Sequence, residues 1–205
     1  GAVEMQRLRK RLATAGAASE GARQELVAQG LSLLAVCPSC GRCFDASSFT
    51  RCTSDGAPLS SDAVVPYRFA SRYRLERVLG QGGMGTVYSA FDERLSRTVA
   101  VKMVRSEALG TARSRIRFEI EVRLVAGIRH PGVVEVFDTG ELPGGAAFLV
   151  MEKLAGRTLA AVLASAGPAS FAQAATLLTE AASALSAAHA AGVVHRDVKP
   201  ENVFL

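Results

Sequence analysis

The stretch "LGQGGMGTVYSA" (79–90) sets glycines at Gly80, Gly82 and Gly85, in the spacing G-x-G-x-x-G. Three glycines so placed often mark nothing more than a turn, and the residues after the third decide between the alternatives. A dinucleotide-binding fingerprint needs Gly85 to open a helix, whereas Thr86, Val87 and Tyr88 favour an extended chain and continue as strand. No Gly-Lys-Ser/Thr follows, which excludes a P-loop. The glycines therefore belong to a hairpin, a flap whose bare backbone can lie close over phosphate groups.

Working outward, "YRLERVLG" (73–80), "TVYSAFD" (86–92) and "TVAVKMV" (98–104) read as three strands of an antiparallel meander, joined at "QGGMG" and "ERLSR". A helical pattern covers roughly Ala112 to Ile128. Two strand-like runs, "HPGVVEVFDTGEL" (130–142) and "GAAFLVMEKL" (145–154), flank the turn "PGG". After "AGRTLAAVLASAG" (155–167), Ser170 and Gln173 form a capping box that starts a long helix ending at Gly192. Strands with one helix, then helices, predict an α+β fold in two lobes.

Alternation puts Ala100 and Lys102 on one face of the third strand. A lysine on an apolar strand face either reaches water or meets an anion; the flap beside it supplies one in a nucleotide phosphate. On the helix, steps of about 100° from Phe118 bring Val122, Leu124, Val125 and Ile128 into one arc, with Glu121 in its middle and Glu119 opposite. A carboxylate so placed calls for a buried cation, and the expectation is an ion pair between Lys102 and Glu121; the alternative is that both glutamates are solvated and the helix is rotated.

Composition narrows the class. With 205 residues of which 49% are hydrophobic, the chain can bury a core. Its net charge of +5 comes from residues 68–129, where thirteen Arg/Lys face six Asp/Glu, and a basic lobe tolerant of phosphate is expected there rather than a nucleic-acid binder. Thr158 to Val194 has Glu180 as its sole formal charge but is mostly alanine broken by polar residues, which predicts a buried helix and no membrane span. The charged start, Gln6 to Arg11, does not read as a signal peptide and predicts a cytoplasmic chain, with a membrane anchor beyond residue 205 left open.

The flap, "VAVK" ending at Lys102, a helix glutamate, "HP" (130–131), "LVMEKL" before a glycine and "HRDVKPEN" (195–202) stand in the order of one family. Over residues 73–205 the sequence resembles the protein kinases, closest to bacterial eukaryotic-like serine/threonine kinases. The resemblance implies a two-lobed kinase fold using ATP and Mg²⁺ on protein Ser/Thr hydroxyls. Leu79, Gly80, Gln81, Gly82, Gly83, Met84 and Gly85 would cover the triphosphate, and Val87 and Ala100 would enclose the base. Lys102, fixed by Glu121, would hold the α/β-phosphates. Backbone groups from Glu152 to Leu154 would meet adenine, with Met151 gating the space behind it. Asp197 would orient the acceptor hydroxyl or take its proton, Lys199 would steady the γ-phosphate and Asn202 would bind Mg²⁺. His195 is implied to be structural and Arg196 to pair with an anion on an activation loop.

The family's Asp-Phe-Gly segment, next in that order, is absent from residues 1–205. The expectation is a truncated chain with a complete small lobe and a partial large lobe, a poor catalyst by itself, whose long helix shows Leu177, Leu178 and Leu185 to solvent. The alternative is a pseudokinase or nucleotide-binding scaffold carrying a metal-dependent interaction module. The oligomeric state is open.

All four cysteines fall in "CPSCGRCFDASSFTRCTSDGAPL" (37–59), between a weakly helical or disordered segment (1–36) and a linker (60–72). Cys37, Cys40 and Cys52 with Asp55 resemble the C-P-x-C-G…C-x-x-D-G zinc-ribbon-like modules ahead of some bacterial kinases. Thiolates two residues apart suit tetrahedral Zn²⁺, and a block this short needs such a staple. Cys43 is the rival fourth ligand, and free thiols in a linker are the alternative.

Overall fold

The computed structural model describes residues 20–61, 64–83 and 85–205. The expectations for residues 1–19 and for Met84 lie outside the described residues. The chain divides into two compact units: the first runs to Leu109 and takes back Gly140–Phe148, and the second holds Gly110–Thr139 and Leu149–Leu205.

In chain order the elements are α1 (20–28), β1 (Leu34–Val36), β2 (Cys43–Asp45), β3 (Arg68–Phe69), β4 (Tyr73–Gly82), β5 (Gly85–Asp92), β6 (Arg97–Val104), α2 (Ser106–Leu109), α3 (Ala112–Ala126), β7 (Val136–Glu141), β8 (Ala147–Met151), α4 (Leu159–Ala166) and α5 (Phe171–Ala190). β1 and β2 make a small sheet of their own, and the other six form one sheet in the order β3-β4-β5-β6-β8-β7. The expected meander is present as β4, β5 and β6, each antiparallel to the next. The capping box of α5 is complete: the Gln173 N–H donates to Ser170 Oγ at 3.3 Å, and the Ser170 N–H donates to Gln173 Oε1 at 2.9 Å.

In the first unit the meander has one apolar face. Leu75, Ala90 and Val99 align across three strands and are fully buried, as is Val101 beside them. Phe69 and Phe148 close over them, their rings 4.9 Å apart, with Tyr73 5.4 Å from Phe69. The residue that locks the start of β4 to the end of β5 is charged. Asp92, fully buried, accepts two hydrogen bonds of 2.7 Å from the Arg72 guanidinium and two more from the N–H groups of Arg94 and Leu95. A buried carboxylate survives when its oxygens are satisfied in this way.

The described residues of the segment expected as a linker (60–72) are tied into the first unit. The Leu34 N–H donates to the Val65 carbonyl at 2.8 Å, the Tyr67 N–H to that of Ser32 at 2.8 Å, and Pro66 is buried. Two of its residues, Arg68 and Phe69, form β3, a strand too short for periodicity to reveal. β1 likewise falls in the 1–36 segment by sequence but pairs with β2 of the cysteine block.

In the second unit, α4 arises from "LAAVLASA", capped by Thr158, whose hydroxyl accepts from the Ala161 N–H. Arg157 and Leu205 exchange backbone hydrogen bonds of 3.1 and 2.9 Å. Gly156 permits this approach: its φ is +96°, and a Cβ there would stand 2.0 Å from the Leu205 carbonyl oxygen. Along α5, Phe171 and Leu178 are exposed while Leu177 and Leu185 are half-buried. No described helix is long and apolar enough to cross a membrane.

Candidate functional site

In the first unit the flap and its lysine share one row of the sheet. Gly80 on β4 pairs with Val87 on β5, which pairs with Lys102 on β6, and the next row on that face is Arg77, Ser89 and Ala100. Cross-strand partners point to the same side, so Val87, Ala100 and Lys102 lie together on the face opposite the apolar core. Lys102 is half-buried and Ala100 buried.

The flap glycines differ in what requires them. A Cβ at Gly85 would stand 1.9 Å from the Met103 carbonyl oxygen, so the fold itself demands glycine there. At Gly80, Gly82 and Gly83 a Cβ would meet nothing within 4 Å, and their φ angles are not positive. Leu79 before them and Gln81 among them are exposed.

In the second unit, Glu121 on α3 is exposed, and its carboxylate faces the Arg196 guanidinium at 3.7 Å. Glu119, as expected, also points to solvent, 3.9 Å from Arg123. The arc drawn from sequence included Leu124, which is 39% exposed. On α3 Val122 is buried and Phe118 and Val125 are half-buried, with Ile128 buried just past the helix end, and Glu121 itself is exposed instead of lying inside a buried stripe. Glu152, next to Met151 at the end of β8, donates its N–H to the Glu135 carbonyl at 2.8 Å, so an adenine contact at Glu152 falls on its carbonyl. Leu154 follows outside any helix or strand and is half-buried. His130 is held at both nitrogens: Nδ1 accepts from the Gly132 N–H at 3.0 Å, which leaves Nε2 to donate to Ser183 Oγ at 3.1 Å.

The terminal motif folds into a tight loop around Asp197. Arg196 takes φ +61°, a left-handed backbone that non-glycine residues rarely adopt. After it the Asp197 N–H returns to the His195 carbonyl at 2.9 Å. Lys199 Nζ lies 2.9 Å from Asp197 Oδ2, and Asn202 Nδ2 donates to the Asp197 carbonyl at 2.8 Å and to Oδ2 at 3.1 Å. The Lys199 hydrogen bond, then that of Asn202, holds the Asp197 carboxyl below its ordinary value, and the same contact raises Lys199. With its NH₂ so engaged, Asn202 keeps its carbonyl Oδ1 for a cation. This donor set fits Mg²⁺, which prefers oxygen ligands.

The cysteine block forms two matching knuckles. Cys37 and Cys52 each donate their N–H five residues on, to the carbonyls of Arg42 and Ala57, both at 2.8 Å. Gly41 and Gly56, at φ +71° and +70°, each return an N–H to the cysteine carbonyl four residues back. The first knuckle presents Cys37 and Cys40, the second Cys52 and Asp55, and their ligand atoms all lie within 4.8 Å of one another. Cys40 Sγ is 3.6 Å from Cys52 Sγ, and Cys37 Sγ is 3.4 Å from Asp55 Oδ2. A zinc tetrahedron with bonds of about 2.3 Å to sulfur has edges of about 3.8 Å, so the set fits Zn²⁺. The Ala57 N–H, with the Cys52 thiol next, holds the Asp55 carboxyl down at about 2, so it is a ready anionic ligand. Cys43 stands outside the group: its Sγ faces the Gly41 carbonyl at 4.0 Å, and burial pushes its thiol up to about 12.

Comparison with known proteins gives this arrangement a family. The protein kinase domain model matches residues 73–205. Serine/threonine-protein kinase PknA of Mycobacterium tuberculosis is 44% identical over 145 residues, covering 69% of this chain and 34% of that protein. Serine/threonine-protein kinase pkn3 of Myxococcus xanthus is 37% identical over 145 residues, covering 71% and 26%. The crystal structure of the M. tuberculosis PknI kinase domain superposes with a TM-score of 0.60 at 31% identity, covering 66% of this chain and 54% of that one. The chain belongs to the protein kinase family, and its β-rich first unit and helical second unit have the kinase-like fold. It spans about a third or less of the length of the curated relatives it matches.

Proposed function

We propose that the protein is an ATP-dependent serine/threonine protein kinase of the bacterial eukaryotic-like type, acting in the cytoplasm, where its nucleotide is found. The observation that carries this reading is the loop in which Lys199 and Asn202 both converge on Asp197.

Phosphoryl transfer asks a protein for in-line positioning and positive charge, with little covalent chemistry. Asp197, kept ionised by Lys199, orients the acceptor hydroxyl and accepts its proton as the hydroxyl oxygen bonds to the γ-phosphorus and the bond to the β,γ-bridging oxygen breaks, with ADP as leaving group. Lys199 turns from the carboxylate to the γ-phosphoryl oxygens, and Asn202 would hold Mg²⁺ through Oδ1. Mg²⁺ neutralises phosphate charge when bound. Lys102 takes the α/β-phosphates, with Glu121 as its partner. An exposed pair at 3.7 Å contributes little, so Glu121 gives up Arg196 readily. Gly80, Gly82 and Gly83 are required neither by conformation nor by neighbours, which favours the reading that a ligand's phosphates approach their bare backbone. Leu79, Gln81, Gly85, Val87, Ala100, Met151, Glu152 and Leu154 keep the roles the resemblance gives them.

The cysteine block is read as a structural zinc module, with Cys37, Cys40, Cys52 and Asp55 as ligands. The matching knuckles support it, since two such turns with four donors converging form no hydrophobic core large enough to hold themselves.

Expressing the full-length protein with labelled ATP and a mixed casein substrate tests the kinase reading. Incorporation lost in Asp197→Asn supports it; incorporation unchanged by that substitution rules it out.

A further inference from the structure

The outer edge of β4 is the strand edge that leads into the flap, and it is covered by two different segments. At its start the Leu75 N–H donates to the Tyr67 carbonyl at 3.0 Å, beside β3. β3 then stops, and the edge at Arg77 and Val78 is taken by the first cysteine knuckle. Arg42 pairs antiparallel with Arg77, and the Val78 N–H donates to the Gly41 carbonyl at 2.8 Å. The fit is close: a Cβ on Gly41 would lie 3.6 Å from the Val78 carbonyl oxygen and 3.8 Å from Arg77 Cγ. β4 shifts register against β5 on either side of this contact, between Leu75 and Arg77 and again between Val78 and Gly80. Between the two shifts Arg77 and Val78 stay paired with Ser89 and Tyr88 on the inner side, and the knuckle grips the same two residues on the outer side, two residues before Gly80.

We propose that the metal centre is a clamp on the flap strand, so that metal occupancy sets the affinity for nucleotide. This rests on reading the tetrad as a zinc site. The apolar centre of the module is Cys37, Phe44 and Cys52 with Cys40, Ala57 and Leu59 around them, so three of its six members are themselves ligands. Without metal such a module loses its fold. The Gly41 and Arg42 backbone then leaves the β4 edge, and the flap loses its anchor. Because coupling between two sites is reciprocal, bound nucleotide tightens the hold on metal by the same factor.

The test measures binding of a fluorescent ATP analogue to the full-length protein, zinc-loaded and after chelation, with zinc counted per chain. The expected result is one zinc per chain and a loss of about tenfold in nucleotide affinity on chelation, within the usual range of coupling between sites. Val78→Pro removes the N–H that reaches Gly41 on a strand edge where proline is tolerated. It is expected to keep one zinc while its nucleotide affinity no longer responds to chelation. A reciprocal measurement needs no variant: the analogue should slow transfer of zinc from the wild-type protein to a chromogenic chelator and raise zinc affinity by the same tenfold. Equal nucleotide affinity with and without zinc in a protein that binds one zinc overturns the clamp alone. A protein that takes up no zinc overturns the zinc reading and the clamp with it.

Discussion

Lys199 Nζ sits 2.9 Å from Asp197 Oδ2, two residues along the same loop. The pair sets the charge state of the residue expected to face the acceptor hydroxyl. The Lys199 hydrogen bond is the first cause of the lowered Asp197 carboxyl, with Asn202 second. Lys199→Met in the full-length kinase should therefore shift the acid limb of the kcat/KM profile to higher pH as well as lower the rate. A slower enzyme whose acid limb stays in place would assign Lys199 to phosphate contact alone.

Asp197→Asn retains the loop's shape and removes the proton acceptor. Turnover should fall by about 10² to 10⁴-fold. Binding of the fluorescent ATP analogue should change little, because Asp197 is assigned to the acceptor. Parallel losses in both measurements would place Asp197 in nucleotide binding.

The flap glycines predict two different failures. Gly85→Ala drives a Cβ toward the Met103 carbonyl oxygen and should lower the melting temperature. Gly80→Ala has open space around it and should melt like the wild type while binding nucleotide more weakly. Thermal unfolding and nucleotide titration of the two variants separate the effects.

At the cysteine module, Cys43→Ser should leave zinc at one per chain, since Cys43 Sγ lies outside the converging group. Cys52→Ser should lose it, and Asp55→Cys should retain it. Metal analysis of the three purified variants decides between Asp55 and Cys43 as fourth ligand.

Asp92 gives the first unit an acid-sensitive term. Hydrogen bonds from Arg72 lower its carboxyl below the ordinary value of 3.8. As pH falls the unfolded chain takes up the proton first, so the contribution is complete above about 3.9 and disappears as pH drops through the lower folded value. Asp92→Ala removes the buried carboxylate that takes hydrogen bonds from Arg72 and from the N–H groups of Arg94 and Leu95, and should cost about 3 kcal/mol at neutral pH. Denaturant melts of both proteins, at neutral pH and below 3.8, should show the gap closing in acid.

Sequence alone determined the elements whose signals are short in range. Alternation gave the three flap strands, G-x-G-x-x-G followed by β-formers excluded a helix at Gly85, and Ser170 with Gln173 marked the start of α5 to the residue. Each rests on neighbours within one or two turns of chain, and the terminal motif likewise holds Asp197, Lys199 and Asn202 within six residues. Tertiary structure decided what depends on a distant partner. Leu124 and Glu121 both proved exposed on α3, and β3, only two residues long, exists because β4 offers it an edge. The placement of Gly41 against Val78 carries no sequence signal: the glycine serves its own knuckle through φ +71°, and only folding shows which strand edge was left for that knuckle to cover.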